Sequence, residues 1–314
     1  VITGRQSKAI KLAGAALAVS AAVAGCGFGA SPGTKDASVR VSQDFGSGVL
    51  GNALQKDVPS SETVLSLLRR HFKVTTSSNG SSVTSIDGHR GGTGHLEWSY
   101  FVNGIQPAKS AALTDVNKGD HIWWDLHDTT ATNSIAAVVG SYPEPFTNGI
   151  GGKEFPTLLN CAPNAQAACN VVGEDLHHEG VKAADQILGT GSGSDSLAVV
   201  VGTWNQVKNV IAAQLISAGP SDSGVYGQFV GPHGQALELD DTMGEVARTL
   251  PGSVGMIAAT GNERLGQPTW FVTGTDTKGV MAAARAFTAA KLDGHYAVAI
   301  KGNKVIALPV AAPA

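Results

Sequence analysis

The residues best suited to chemistry crowd into one short run, Asp120, His121, Asp125, His127 and Asp128. In an extended strand successive side chains point to opposite faces, so His121, Asp125 and His127 share a face with Trp123. Imidazoles beside carboxylates can hold a metal ion or exchange protons; the same residues also suit a solvated strand edge. Other candidates are weaker. His177 and His178 are neighbours on a helical pattern, about 100° apart, and read as exposed histidines with no joint metal face. Gly202-Thr203 and Gly274-Thr275 end strand-like runs where a helix N-terminus could cradle an anion. Neither continues into the Lys-Ser/Thr of a phosphate loop, and tight turns with N-caps explain both. No strand-to-helix nucleophile elbow and no two-histidine metalloprotease motif is recognised. The sequence therefore predicts a non-enzyme with no catalytic residue, no metal ligand set and no cofactor.

Aromatic side chains are the second concentration: Trp98, Tyr100, Phe101, Trp123 and Trp124 are five of only 18 in the chain. Because adjacent strand residues face opposite ways, Tyr100 with Phe101, and Trp123 with Trp124, cannot all enter one core. One of each pair must meet a second domain, a partner or a flat ligand. This reasoning nominates Trp98, Tyr100, Phe101, Trp123, Trp124 and Asp125 as ligand-binding. Cys161 and Cys169, eight positions apart, read as a structural disulfide in a chain outside the cytoplasm, worth roughly 2.5 kcal/mol by loop entropy. No second Cys or His pair at zinc spacing accompanies them.

The elements that must position these residues follow from periodicity. From Val39 to about Gly140 the period is mostly two, interrupted by a helix over Ser61–Arg70 that Ser60 or Ser61 can cap, with Glu62 at the positive dipole end. Val64, Leu65, Leu68 and Phe72 share its apolar face. Short strands read at 73–76 and 82–87. Leu96–Ile105 reads as a hairpin turning on Asn103-Gly104, Asp120–Leu126 as a strand, and Ala137–Phe146 as a last strand with a proline-stiffened exit. The fold class is α+β: a β-grasp-like domain over 39–146, then a second α/β domain over 152–312 with a mixed sheet and helices. In that second domain three units repeat strand, turn and helix: 157–161 into 168–179, 197–202 into 207–216, and 269–274 into 279–287. Strands at 225–230, 236–240 and 254–259 and a closing hairpin at 296–308 complete it, and Gly189–Ser194 reads as a loop.

The N-terminal end gives an address. Arg5, Lys8 and Lys11 precede an uncharged apolar stretch, 12–24, that is too short to span a bilayer and closes on Val23-Ala24-Gly25-Cys26. That ending resembles a lipobox, in which Cys26 receives lipid; residues 1–26 are then a signal peptide and 27–38 a flexible tether. The expected location is extracytoplasmic, with a lipid anchor in the cell membrane. Loss of those three cations with no acidic residue takes the formal net charge from −3 to −6. With no basic stripe, a nucleic-acid partner is excluded. The low charge content of 15% and 40 glycines resemble high-GC actinobacterial composition.

Glu62-Thr63-Val64-Leu65, Trp98 through Gly104, and Lys118-Gly119-Asp120 leading into Ile122-Trp123-Trp124 together resemble the transcobalamin-like C-terminal domain family. The resemblance covers about 100 residues. It implies a small β-grasp-like module of bacterial surface proteins, and a ligand class, corrinoids, bound by the animal members. The Ala137–Phe146 run is similar to one in actinobacterial members. The expected partners are a small molecule or an envelope component, with a membrane transporter as recipient; the alternative is an envelope scaffold or adhesion module binding protein or glycan.

Overall fold

The computed structural model describes residues 1, 36–188 and 194–312. The expected signal peptide, Cys26, nearly all of the tether and most of the Gly189–Ser194 loop lie outside the described residues. Chain order is β1 (Ala37–Gln43), β2 (Gly48–Gln55), α1 (Val64–His71), β3 (Val74–Thr76), β4 (Val83–Ile86), β5 (His89–Arg90), β6 (Leu96–Val102) and β7 (His121–Asp128). β1 and β7 pair in parallel at the centre of a sheet ordered β2-β1-β7-β6, with antiparallel edges. The hairpin, helix and return strand give the β-grasp-like layout. Ala37 and Ser38, expected in the tether, are buried in β1.

Alternation along β7 decides what each face meets. Ile122 and Trp124 join Val39, Val41, Val64, Leu67 and Leu68 in a core under α1, and Tyr100 stacks on Trp124 at 4.9 Å. The helix starts two residues later than a Ser61 cap would put it: Thr63 is the N-cap, in a capping box with Ser66. Glu62 lies outside the helix, buried, and pairs with Arg70 at 2.6 Å. The Asn103-Gly104 turn has the expected positive φ at both residues. Beyond Ile105, however, the chain leaves the sheet, and β6 pairs with β7 instead of a following arm. Ala137–Phe146 is not a strand; Val139–Ser141 form a 3₁₀ turn.

The rest of the chain runs β8 (Thr157–Cys161), α2 (Gln166–His178), β9 (Ala183–Ile187), β10 (Leu197–Thr203), α3 (Trp204–Val207), α4 (Ile211–Ala218), α5 (Pro220–Ser223), β11 (Gly227–Val230), β12 (Ala236–Asp240) and β13 (Val246–Pro251). β14 (Gly255–Thr260), β15 (Thr269–Gly274), α6 (Thr277–Ala284), α7 (Ala289–Leu292), β16 (Ala297–Lys301) and β17 (Lys304–Leu308) follow. All three strand-turn-helix units form. Their strands β8, β10 and β15 lie side by side and parallel in a mixed seven-stranded sheet, β17-β16-β14-β15-β10-β8-β9. α2 and α6 cover one face; α4 and the small sheet β11-β12-β13 cover the other. Thr203 and Asp276 cap the helices after β10 and β15, so the Gly-Thr pairs serve turns and caps. The Cys161–Cys169 disulfide joins the end of β8 to the first turn of α2.

The two sheets share a core. Phe45, Phe101 and Trp123 of the first enter the apolar layer of Tyr226, Leu237, Met256 and Tyr296 in the second. Tyr142 and Phe146 cross to the opposite layer, against Phe287 and Trp270. This closeness depends on glycine: a Cβ on Gly46 would fall 2.1 Å from the Gly294 carbonyl oxygen and 2.7 Å from the Trp123 ring.

Candidate functional site

The expected acid-histidine face lies inside the molecule. Asp120, His121, Asp125 and His127 are 0, 6, 0 and 2% exposed. The reading of a solvated strand edge is therefore corrected: β7 is a central strand, and the second sheet covers the face that sequence alone left open. Only Asp128, at the strand end, reaches solvent.

Asp125 is the hub. Positive φ at Asp44, Phe45 and Gly46 curls the turn after β1 so that two amides converge on its carboxylate, Phe45 N–H at 3.0 Å and Gly46 N–H at 2.9 Å. Ser42 donates a further hydrogen bond and itself accepts one from Trp123 Nε1 at 2.7 Å. Tyr296, just before β16, donates to Asp125 Oδ2 at 3.2 Å and lies 3.1 Å from His127 Nδ1, which is 3.1 Å from the same oxygen. Burial and the Asp125 charge push the Tyr296 phenol well above its usual range. A carboxylate with this many donors is satisfied internally and has no free lone pair facing solvent, so the arrangement ties the two sheets together.

His121 makes a separate contact, Nδ1 to Ser141 Oγ at 3.0 Å. Burial, with Arg40 adding to it, brings its pKa down to about 4, so the ring is neutral. Asp120 accepts from Asn103 and Asn117, and Glu144 accepts from Thr147 and from Asn148, whose backbone N–H lies at 2.9 Å. Burial raises both carboxyls, Glu144 to about 7. Among the described residues no group of three His, Cys, Asp or Glu is placed to hold a metal ion.

The nominated ligand residues divide in the same way. Phe101, Trp123, Trp124 and Asp125 are 0–2% exposed and packed against protein, which corrects their reading as a ligand surface: the layer shared with the seven-stranded sheet and the α1 core are what they meet. Trp98 and Tyr100 are half-buried; Trp98 Nε1 donates to the His89 carbonyl at 3.3 Å and Tyr100 OH to the Lys109 carbonyl at 2.6 Å. His177 and His178 are exposed on α2, as expected.

A cleft suited to a small molecule lies on the seven-stranded sheet, where α4 leaves part of β8 and β10 uncovered. Its volume is about 500 Å³. Asn160 and Val200 make the floor; Val210, Ile211 and Ala212 make one wall; Arg264, Gln267 and Thr269 stand at the other side. Asn160 is 3% exposed, and its amide nitrogen has only a 3.5 Å contact to the Leu158 carbonyl, so that donor is available inward. Ile211 is 65% exposed at the mouth. Sequence reading passed over these residues; the available signal was an amide side chain within the otherwise apolar end of the strand Thr157-Leu158-Leu159-Asn160-Cys161.

Residues 61–128, from just before α1 to the end of β7, match the model of a family described as a domain of unknown function (DUF4430). All three runs that carry the transcobalamin-like resemblance fall inside that match. Among solved structures, one from Ruminococcus gnavus ATCC 29149, described as "a putative metal binding protein", is 18% identical over 30% of this chain and 97% of that chain, with a TM-score of 0.25. No curated protein matches the chain.

Proposed function

We propose that the protein is a non-catalytic, lipid-anchored binding protein on the outer side of the cell membrane, taking a small molecule in the Asn160 cleft and passing it to a membrane transporter. The cleft carries the reading: its volume falls within the 300–1,000 Å³ of small-molecule sites, and it combines apolar walls with a buried, under-used amide. The lipobox-like ending at Cys26 supports the anchor. Mutual pairing of Asp125, His127 and Tyr296 supports a non-catalytic role, since no base there faces an open site. The transcobalamin-like resemblance makes corrinoids the first class to try.

Calorimetric titration of the purified chain with cobalamin, cobinamide and a panel of smaller metabolites tests this. Saturable heat that disappears in Asn160→Leu, with melting unchanged, is the expected result. No heat for any compound from a folded chain counts against the proposal. A second reading, an envelope interaction module, is favoured by β2, an edge strand on which Val49 and Leu54 are 51% and 44% exposed. Co-sedimentation with cell-wall material that Val49→Lys with Leu54→Lys abolishes would support that reading, and its absence would remove it.

A further inference from the structure

A groove between α6 and the β16–β17 hairpin is cationic in a net-acidic chain. Lys278 and Arg285 stand seven residues apart, two helical turns or about 10 Å along the axis, on one side of α6 and its C-cap. Met281 lies between them on that side, and Ile300 and Val305 of the hairpin form the facing wall. Lys291, from α7, also lines the groove. The groove encloses about 360 Å³, and no carboxylate is among the residues that line it.

Among the described residues none of these three cations forms an ion pair. Lys291 donates to the Arg285 carbonyl at 2.7 Å, which orients the ammonium without neutralising it. Asp175 on α2 is near enough to feel Lys291 but makes no pair with it. A scattered surface lysine is satisfied by water. Three cations without an ion pair around an apolar wall, with Asp276 and Asp175 acting on Lys278 and Lys291 only from outside the groove lining, instead match a molecule with an anionic head and a nonpolar body: the head takes charge-assisted hydrogen bonds while the body covers Met281, Ile300 and Val305. We propose that this groove binds an amphiphilic anion, a phosphate or carboxylate on a short apolar body. The site is separate from the Asn160 cleft and does not depend on what occupies it.

The probes are hexyl phosphate, inorganic phosphate, and phosphatidylcholine vesicles with or without phosphatidylglycerol. The protein is the chain carrying Cys26→Ser, which no lipid can modify. Expected is saturable hexyl phosphate binding, tighter than inorganic phosphate, weakened by salt, and weakened about tenfold or more in Lys278→Gln with Arg285→Gln. Both side chains are exposed, so this variant keeps the fold, and an unchanged melting curve verifies it. Flotation with phosphatidylglycerol vesicles, lost in the double variant, assigns the anion to a lipid headgroup; hexyl phosphate binding without flotation assigns it to a soluble molecule. Absence of both, or binding equal in the double variant, overturns the proposal.

Discussion

Asp240 and Asp125 are both buried carboxylates and have opposite energetics. Asp125 is held by five donors. Replacing it with Ala strands Tyr296 and two amides in an apolar layer and is expected to cost roughly 3–5 kcal/mol by denaturant titration. Asp240, 0% exposed, has neither oxygen hydrogen-bonded, and the Tyr226 hydroxyl is likewise unpartnered. Burial, then the charges of Glu238, Asp241 and Glu245, raise its pKa to about 6. A folded-state pKa above the unfolded value means that the native state binds the extra proton. This group's contribution is therefore fully present below about pH 4 and is lost as pH rises through about 6. Asp240→Asn is expected to stabilise the protein by roughly 1–3 kcal/mol at pH 7.5 and by nothing measurable at pH 4, where the carboxyl is already neutral. Equal effects at both pH values would refute this account. His121 has the opposite sign. Its depressed pKa of about 4 makes the neutral ring an asset above pH 6.5 that is lost as pH falls toward 4, and His121→Asn would remove that slope in a melting series.

Elements were legible where one periodicity ran through them and one residue set their ends. The three strand-turn-helix units follow from apolar runs that stop at a turn, two of them with the polar caps Thr203 and Asp276, and the Asn103-Gly104 turn from its positive φ. Beyond residue 150, two strands were missed for physical reasons. β9 (Ala183–Ile187) has an intermediate-exposed-exposed-intermediate-exposed pattern, and β13 (Val246–Pro251) ends on a proline; both are edge strands whose burial comes from neighbours. Ala137–Phe146 reads as a strand because it is apolar, yet what buries it is a second core that no local pattern announces. At this scale the Cys161–Cys169 link clips β8 to α2 across a short loop. Cys161→Ala with Cys169→Ala is expected to cost about 2–3 kcal/mol in chemical denaturation, with no change in the first sheet's tryptophan signal.

Across the whole molecule, the decisive feature is the seal between sheets. The sequence implied that one of Trp123 and Trp124 had to meet something other than the first core; it could not say which one, nor that Tyr296, 171 residues beyond Asp125, would cover that face. Long-range contacts leave no mark in a short window, so the predicted ligand face became an interdomain core, while the cleft beside Asn160 went unmarked. Backbone approach at Gly46 holds that seal. Gly46→Ala, at φ 83° and with the Gly294 carbonyl in the way, is expected to cost on the order of 2–4 kcal/mol and to shift tryptophan emission to the red as Trp123 meets water. An unchanged spectrum and stability would show that the sheets do not depend on this contact.

Ligand binding at the Asn160 cleft is expected to leave the Asp125 junction closed. Amide hydrogen exchange with and without a ligand found by calorimetry tests it most directly. Slowed exchange is expected at 158–160, 209–212 and 264–269, with 42–46 and 121–127 unchanged. A ligand that instead alters exchange at 42–46 and 121–127, and leaves the cleft untouched, would contradict it and return the site to the aromatic face of the first sheet.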